Sequence, residues 1–150
     1  MPPEQPRLLV SAGLVWLTRT RVLLQRRPAD ARHGAGMLEF PGGKVERGES
    51  PARALTRELI EEWGPAADAL RVGAIAEVLH HVYPPPGPEV VLLVYHVGGA
   101  AWAEDDGAAA VLEPGASVSA HDVSSLPIEQ FLEADRPFAR RIQAGVVRQP

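Results

Sequence analysis

Glu58, Glu61 and Glu62 fall close together in the stretch GGKVERGESPARALTRELIEEWG (42–64), with no lysine among them. Spacings of three and four return side chains to one face of a helix, so a helix here crowds three carboxylates together. Like charges at these spacings repel by roughly 0.2–0.5 kcal/mol per pair. Glu61 and Glu62 also sit in the last turn, where the helix dipole disfavours anions by about 0.3–1 kcal/mol each. A divalent cation over the cluster would reverse both costs, and hard cations such as Mg²⁺ and Mn²⁺ prefer carboxylate oxygen. The competing reading is a solvated surface face on which Arg57 pairs with Glu61 one turn on.

The residues before the helix add a second chemical signal. A glycine-rich loop leading into a carboxylate-bearing helix can offer backbone N–H groups and Lys44 to phosphate oxygens. Glu49 falls at the helix entry. The string has glycine, five residues, glutamate, seven residues, then Arg-Glu-apolar-any-Glu-Glu-any-Gly. Gly43, Glu49, Arg57, Glu58, Leu59, Glu61, Glu62 and Gly64 fill it. This pattern resembles the signature box of the Nudix hydrolases, which cleave nucleoside diphosphates linked to another moiety. Pro65 stands where the box ends in an aliphatic residue; this is a packing position, and no loss of chemistry is expected from it.

The resemblance implies an α/β/α sandwich with a mixed sheet and a box helix that binds Mg²⁺ or Mn²⁺. It assigns metal ligation to Glu58 and Glu62, with Glu61 beside them, and places Gly43 among the metal-binding positions. Arg57 is expected to orient a glutamate, Glu49 being the candidate. The implied reaction is attack of water on a phosphorus of a diphosphate bridge. A carboxylate takes the proton, and Glu58, Glu61 and a later loop glutamate all remain candidates for that base.

The longer string LLQRRPADARHGAGMLEFPGGKVERGES resembles the MutT-like branch, which hydrolyses nucleoside triphosphates, oxidised ones included, to the monophosphate and pyrophosphate. That likeness brings Arg27 and His33 towards the nucleotide, although the loop here is one residue longer and His33 reads equally as a plain loop histidine. Phe40 lines a base pocket or belongs to the core. LEADRPFARRI resembles the branch's base-reading element and puts Asp135 at that position. An ionised aspartate only accepts hydrogen bonds, which suits base amino or N–H groups; the residue type equally suits a helix N-cap. Glu113 aligns with a metal-binding loop glutamate, with Glu104, Asp105 and Asp106 as rivals. His80 and His81 lie in one strand and point to opposite faces.

Positioning these groups requires a scaffold that the rest of the chain supplies. Segments 8–17 and 21–27 read as a strand hairpin, and 71–83 and 89–97 as two more strands, with 117–123 a short one. Residues 28–37 and 98–117 read as loops. Ser50 and Pro51 open a helix that Gly64 and Pro65 close. Ala52, Leu55, Leu59, Ile60 and Trp63 share its core side, while Ala54 lies among the glutamates and leaves room above them. A second helix is expected from Leu126 to about Val146, interrupted or restarted near Pro137. The order of elements indicates one α/β domain over 1–150 with a mixed sheet, and a loose tail over 1–7.

Composition bounds the function. A formal net charge of −4 argues against a general nucleic-acid binder, which needs a basic surface. It leaves open a small phosphorylated substrate neutralised by a metal. The absence of cysteine excludes disulfides, thiolate nucleophiles and cysteine-ligated zinc, which fits the cytoplasm. No signal peptide is visible, and the longest apolar runs are too short to span a bilayer. The expected partner is therefore a small nucleotide, with the chain a monomer or homodimer. The box alone admits a nucleotide sugar or dinucleoside polyphosphate instead, and a non-catalytic Nudix-fold ligand sensor stands as the alternative from another class.

Overall fold

The computed structural model describes residues 4–150. Seven strands form one mixed sheet: β1 (Arg7–Trp16), β2 (Arg21–Arg26), β3 (Leu38–Glu39), β4 (Gly42–Lys44), β5 (Arg71–Val82), β6 (Glu89–Gly98) and β7 (Ser117–Asp122). The main path runs β3-β2-β1-β6-β5, with β4 on β1 and β7 on β2. Only β1 and β6 pair in parallel, from Arg7↔Glu89 to Trp16↔Gly98; every other pair is antiparallel.

Period-two alternation along β1 and β2 divides the core between the two sheet faces. Ala12, Leu14, Trp16, Val22 and Leu24 join Phe40, Phe131, Phe138 and Ile142, the cluster that buries α2 (Arg136–Gln143). Val15, Leu17 and Leu23 join Leu55, Leu59 and Trp63 of α1 (Pro51–Trp63). The result is the α/β/α sandwich expected from the sequence.

The hairpin of β1 and β2 is splayed: its strand register covers only Val15↔Leu23 and Trp16↔Val22. Beyond that point β1 takes β4 instead, with Ala12 opposite Gly42, Ser11 opposite Gly43 and Val10 opposite Lys44. A side chain at Gly42 would overlap the Ser11 carbonyl oxygen, so this close approach requires glycine.

Helix α1 begins and ends as its sequence dictates. Ser50 is extended and accepts from the Arg53 N–H at 3.2 Å, Pro51 occupies the first turn, and the Gly64 N–H donates to the Ile60 carbonyl. Its buried residues are Ala54, Leu55, Leu59 and Trp63. Ala54 thus departs from the wheel reading: it is fully buried rather than open above the glutamates, while Ala52 and Ile60 are half-buried. The β4 segment lies against the helix on that side and shifts the buried face towards it.

The second helix is far shorter than expected. Residues 126–135 form two short 3₁₀ turns separated by extended residues at Phe131 and Leu132. Phe131 bridges to Leu38, and the Leu132 N–H donates to the Leu38 carbonyl at 3.0 Å. Pairing with β3, together with the N–H that Pro127 lacks, outweighs local helix propensity. Of the tail expected over 1–7, residues 1–3 lie outside the described residues. Gln5 donates to the Tyr83 and Gly87 carbonyls, and Arg7 already belongs to β1. Among the described residues no helix is long and apolar enough to cross a membrane.

Candidate active site

Arg57 is the hub of the α1 surface. Its guanidinium grips Glu49 through both carboxylate oxygens, at 3.1 and 2.6 Å, and bonds Glu58 at 2.9 Å and Glu61 at 3.1 Å. It also donates to the Lys44 carbonyl at 3.0 Å, which ties β4 to the helix. The Arg57–Glu61 pair of the solvated-face reading is therefore present, but it is one strand of a larger net. Glu49 in turn accepts from the Glu46 N–H at 2.8 Å. Arg57 and that N–H together hold the Glu49 carboxyl below its usual range. The Lys44 side chain is exposed.

Glu58, Glu61, Glu62 and Glu113 all line one cavity of about 270 Å³, with Gln25, Leu112 and Ala116. Glu113 reaches it because the long loop after β6 is pinned to α1. The Val111 N–H donates to the Trp63 carbonyl at 2.9 Å, and Trp102 stacks on Trp63 with centroids 5.9 Å apart. Asp106 instead pairs with Arg21, and Asp105 accepts from the Gly107 N–H. A Cβ at Gly43 would run into the Glu58 carboxyl, so the backbone there closes directly on the cluster.

Glu62 is the least satisfied of the four. One of its oxygens is buried without a hydrogen-bond partner. Burial, then the nearby Glu39 and Glu58 carboxylates, push its pKa up to about 8, against the Gly42 N–H and the Gln25 amide. Among the described residues no three His, Cys, Asp or Glu side chains converge as a closed ligand set. Even so, the donors fit a hard divalent cation: they are all carboxylates, they border one cavity, and an orphaned oxygen lies among them.

A second cavity, of about 220 Å³, opens on the α2 face of the sheet. Val10, Ala12, Leu79, Val90 and Leu92 form its apolar walls, Phe40 adds an aromatic one, and Glu39, His81, Tyr83 and Asp135 supply polar groups. Phe40 is at once core and wall, packed on Phe131 and Phe138 at 5.6 and 5.3 Å. His81 turns inward against Tyr83, whereas His80 faces out and pairs with Glu89. Asp135 is 7% exposed and makes no side-chain capping bond to α2. Burial, then Glu39, push its carboxyl up to about 7, opposed by the Phe40 N–H.

Arg27 and His33 lie on a wider adjoining cavity of about 900 Å³ that shares Tyr83, Leu132 and Ala134 with the second. Arg27 is occupied: it bonds the His33 carbonyl at 2.8 Å and Glu39 at 3.1 Å. Sequence reasoning missed Gln25 and Glu39, which connect the two polar regions. The Gln25 amide donates to Glu39 at 3.3 Å, with Gln25 lining the carboxylate cavity and Glu39 the apolar one. A charged residue between Leu38 and Phe40, both of them buried, was the available signal.

A family model described as NUDIX domain matches residues 7–144. The chain belongs to the Nudix family. Within it, the chain is 47% identical over 58 residues to an 8-oxo-dGTP diphosphatase of Escherichia coli (strain K12), a match covering 39% of this chain and 44% of that protein. It is 42% identical over 64 residues to an RNA pyrophosphohydrolase of Brucella ovis, covering 42% of this chain and 34% of that one. These matches thus span less than half of either curated relative. Among solved structures, a MutT protein from Methanosarcina mazei Go1 superposes with a TM-score of 0.73 at 24% identity, over 95% of this chain and 97% of that one. That likeness shows that the Nudix fold extends across nearly the whole chain.

Proposed function

We propose that this Nudix chain is a metal-dependent nucleoside-triphosphate pyrophosphohydrolase, releasing a nucleoside monophosphate and pyrophosphate. The observation that carries this reading is the pairing of two unlike cavities. One is ringed by Glu58, Glu61, Glu62 and Glu113, the other is apolar-walled with Asp135 inside it, and Gln25 and Glu39 join them. A triphosphate and its base have that same polarity, anionic at one end and flat and largely apolar at the other.

Glu58, Glu61, Glu62 and Glu113 would hold Mg²⁺ or Mn²⁺, with the backbone at Gly43 closing on Glu58 beside them. A bound divalent ion supplies Lewis-acid polarisation of phosphoryl oxygens and a lowered pKa for water. The chain's own residues supply the rest. Arg57 fixes Glu58 and Glu61 in place and anchors Glu49 below them. Glu58, Glu61 and Glu113 border the space where an attacking water would stand and are the acceptors for its proton. Lys44, exposed beside the cluster, is available to phosphate oxygens. In the second cavity Phe40 and the apolar walls exclude water from a base, and Asp135 reads its donor groups.

The likeness to the Brucella protein supports a second substrate, the 5′-triphosphorylated end of RNA. The open cavity beside Arg27 and His33 has room for a following nucleotide. Hydrolysis of a panel of canonical and oxidised nucleoside triphosphates, a nucleotide sugar, a dinucleoside polyphosphate and a triphosphorylated RNA, with Mg²⁺ or Mn²⁺, separates the readings. Pyrophosphate release from free triphosphates is expected. Release of orthophosphate alone, or no turnover of any of them, rejects the proposal. Glu61→Gln and Glu62→Gln should each abolish turnover while leaving the fold intact.

A further inference from the structure

Gln25 is 8% exposed at the end of β2, and its amide has one possible orientation. The Trp63 indole N–H lies 2.6 Å from Gln25 Oε1. An indole nitrogen can only donate, so the amide oxygen must face it and the amide NH₂ must face away. On that other side Glu39 accepts from Nε2 at 3.3 Å, and Gln25 and Glu62 line the same carboxylate cavity. Trp63 is itself fully buried and stacked on Trp102.

We propose that Gln25 is a positioning residue. Locked by Trp63, it turns its amide nitrogen onto Glu39 from a place in the wall of the carboxylate cavity, and so sets that cavity and the base cavity in register. This rests on the pyrophosphohydrolase reading above and deepens it, because neither Gln25 nor Trp63 is one of the fixed positions of the glycine–glutamate pattern. The physical need is plain. Glu39 and Glu62 are mutually repelling and half-buried, and a neutral donor fixed on Glu39 orders that carboxylate without neutralising it. Glu62, beside Gln25 in that cavity, keeps one buried oxygen without a hydrogen-bond partner, and that oxygen is the one a cation would satisfy. Arg27 holds the other Glu39 oxygen, so Glu39 is clamped from two sides.

Gln25→Met tests this, since it retains volume and removes both hydrogen bonds. Groups that orient metal ligands typically account for roughly 10–100-fold in metal affinity or activity. The expected result is a Mn²⁺ dissociation constant raised by about that factor in calorimetry. kcat should fall by a similar factor while KM for the nucleotide stays within about threefold. Trp63→Phe deletes the lock alone and should weaken Mn²⁺ binding less. In the double variant its effect should vanish, because the amide it orients is gone. A packing role would lower thermal stability while Mn²⁺ affinity and kcat stayed within twofold of the parent (about 0.4 kcal/mol), and that result overturns the inference. Additive losses from the two substitutions overturn it as well. A parent protein that neither takes up Mn²⁺ nor hydrolyses a nucleotide instead overturns the reading beneath it.

Discussion

The Arg57 guanidinium holds both carboxylate oxygens of Glu49, eight residues earlier in the chain and on the far side of the helix entry. The same side chain reaches Glu58, Glu61 and the Lys44 carbonyl. One cation therefore joins the loop, the helix start and two of the clustered glutamates. Charge-assisted hydrogen bonds of this kind are shorter and stronger than neutral ones, and bidentate pairing adds geometric specificity.

Arg57→Ala should accordingly lower the urea midpoint of unfolding, less so at high salt. Lysine cannot reproduce the fork, so Arg57→Lys should recover under half of that loss. Urea unfolding at low and high ionic strength measures both. An unchanged midpoint for Arg57→Ala would show the net to be a solvated surface feature.

Glu62 carries the largest unmet polar demand near the site. Glu62→Gln replaces a buried carboxyl facing Glu39 and Glu58 by a neutral amide of the same shape. Without metal the variant should melt higher than the parent, by a few degrees. The parent should gain thermal stability when Mn²⁺ is added and lose it again with EDTA, and the variant should respond little to either. Differential scanning calorimetry distinguishes the two; an equal Mn²⁺ response in both proteins contradicts the ligand assignment.

Asp135 gives a pH signature. Its folded-state pKa is raised to about 7 from about 4 in an unfolded chain, so between these values the folded form binds more protons. Its contribution to stability is then fullest below about pH 4 and declines as pH rises to about 7. Asp135→Asn removes that slope, and near pH 8 the variant should be more stable than the parent by a few kcal/mol at most. Glu39, His81 and Tyr83 line the same cavity and remain in the variant. Melting temperatures from pH 4 to 8 give the test, which parallel curves for the two proteins would fail. The same substitution should alter the order of preference among bases, because an amide both donates and accepts.

Gly43→Ala is a steric test of the same cluster. The added methyl meets the Glu58 carboxyl and must displace it. Turnover should fall by at least about tenfold, as expected for a misplaced ligand. The loss of stability should be small, because the displaced atoms are the far end of the flexible Glu58 side chain. Mn²⁺ titration alongside kinetics reports both; unchanged Mn²⁺ affinity would mean that Glu58 moves aside without consequence.

Local chemistry wrote much of this architecture into the sequence. Ser50, Pro51 and Gly64 mark the ends of α1, and short, strand-sized apolar runs mark β1, β2 and β6. The spacing of Glu58, Glu61 and Glu62 indicated one helical face, which the shared cavity matches. What could not be read there depends on distant partners. Residues 126–135 have helical character, yet Phe131 and Leu132 are drawn out by pairing with Leu38. Ala54 is covered because β4 arrives over it. Gln25 and Trp63 meet across 38 positions of chain, a contact no local period announces. Asp135 suited base reading and helix capping equally, because residue type alone does not disclose burial.

The bond from Val111 to the Trp63 carbonyl gives the long excursion after β6 a fixed point of attachment. Glu113 stands two residues past it. Extra residues inserted upstream, around 103–106, would enlarge the excursion yet leave that carboxylate in place. A single residue inserted between Val111 and Glu113 would carry it out of reach. Tolerance to lengthening should therefore change abruptly at one peptide unit.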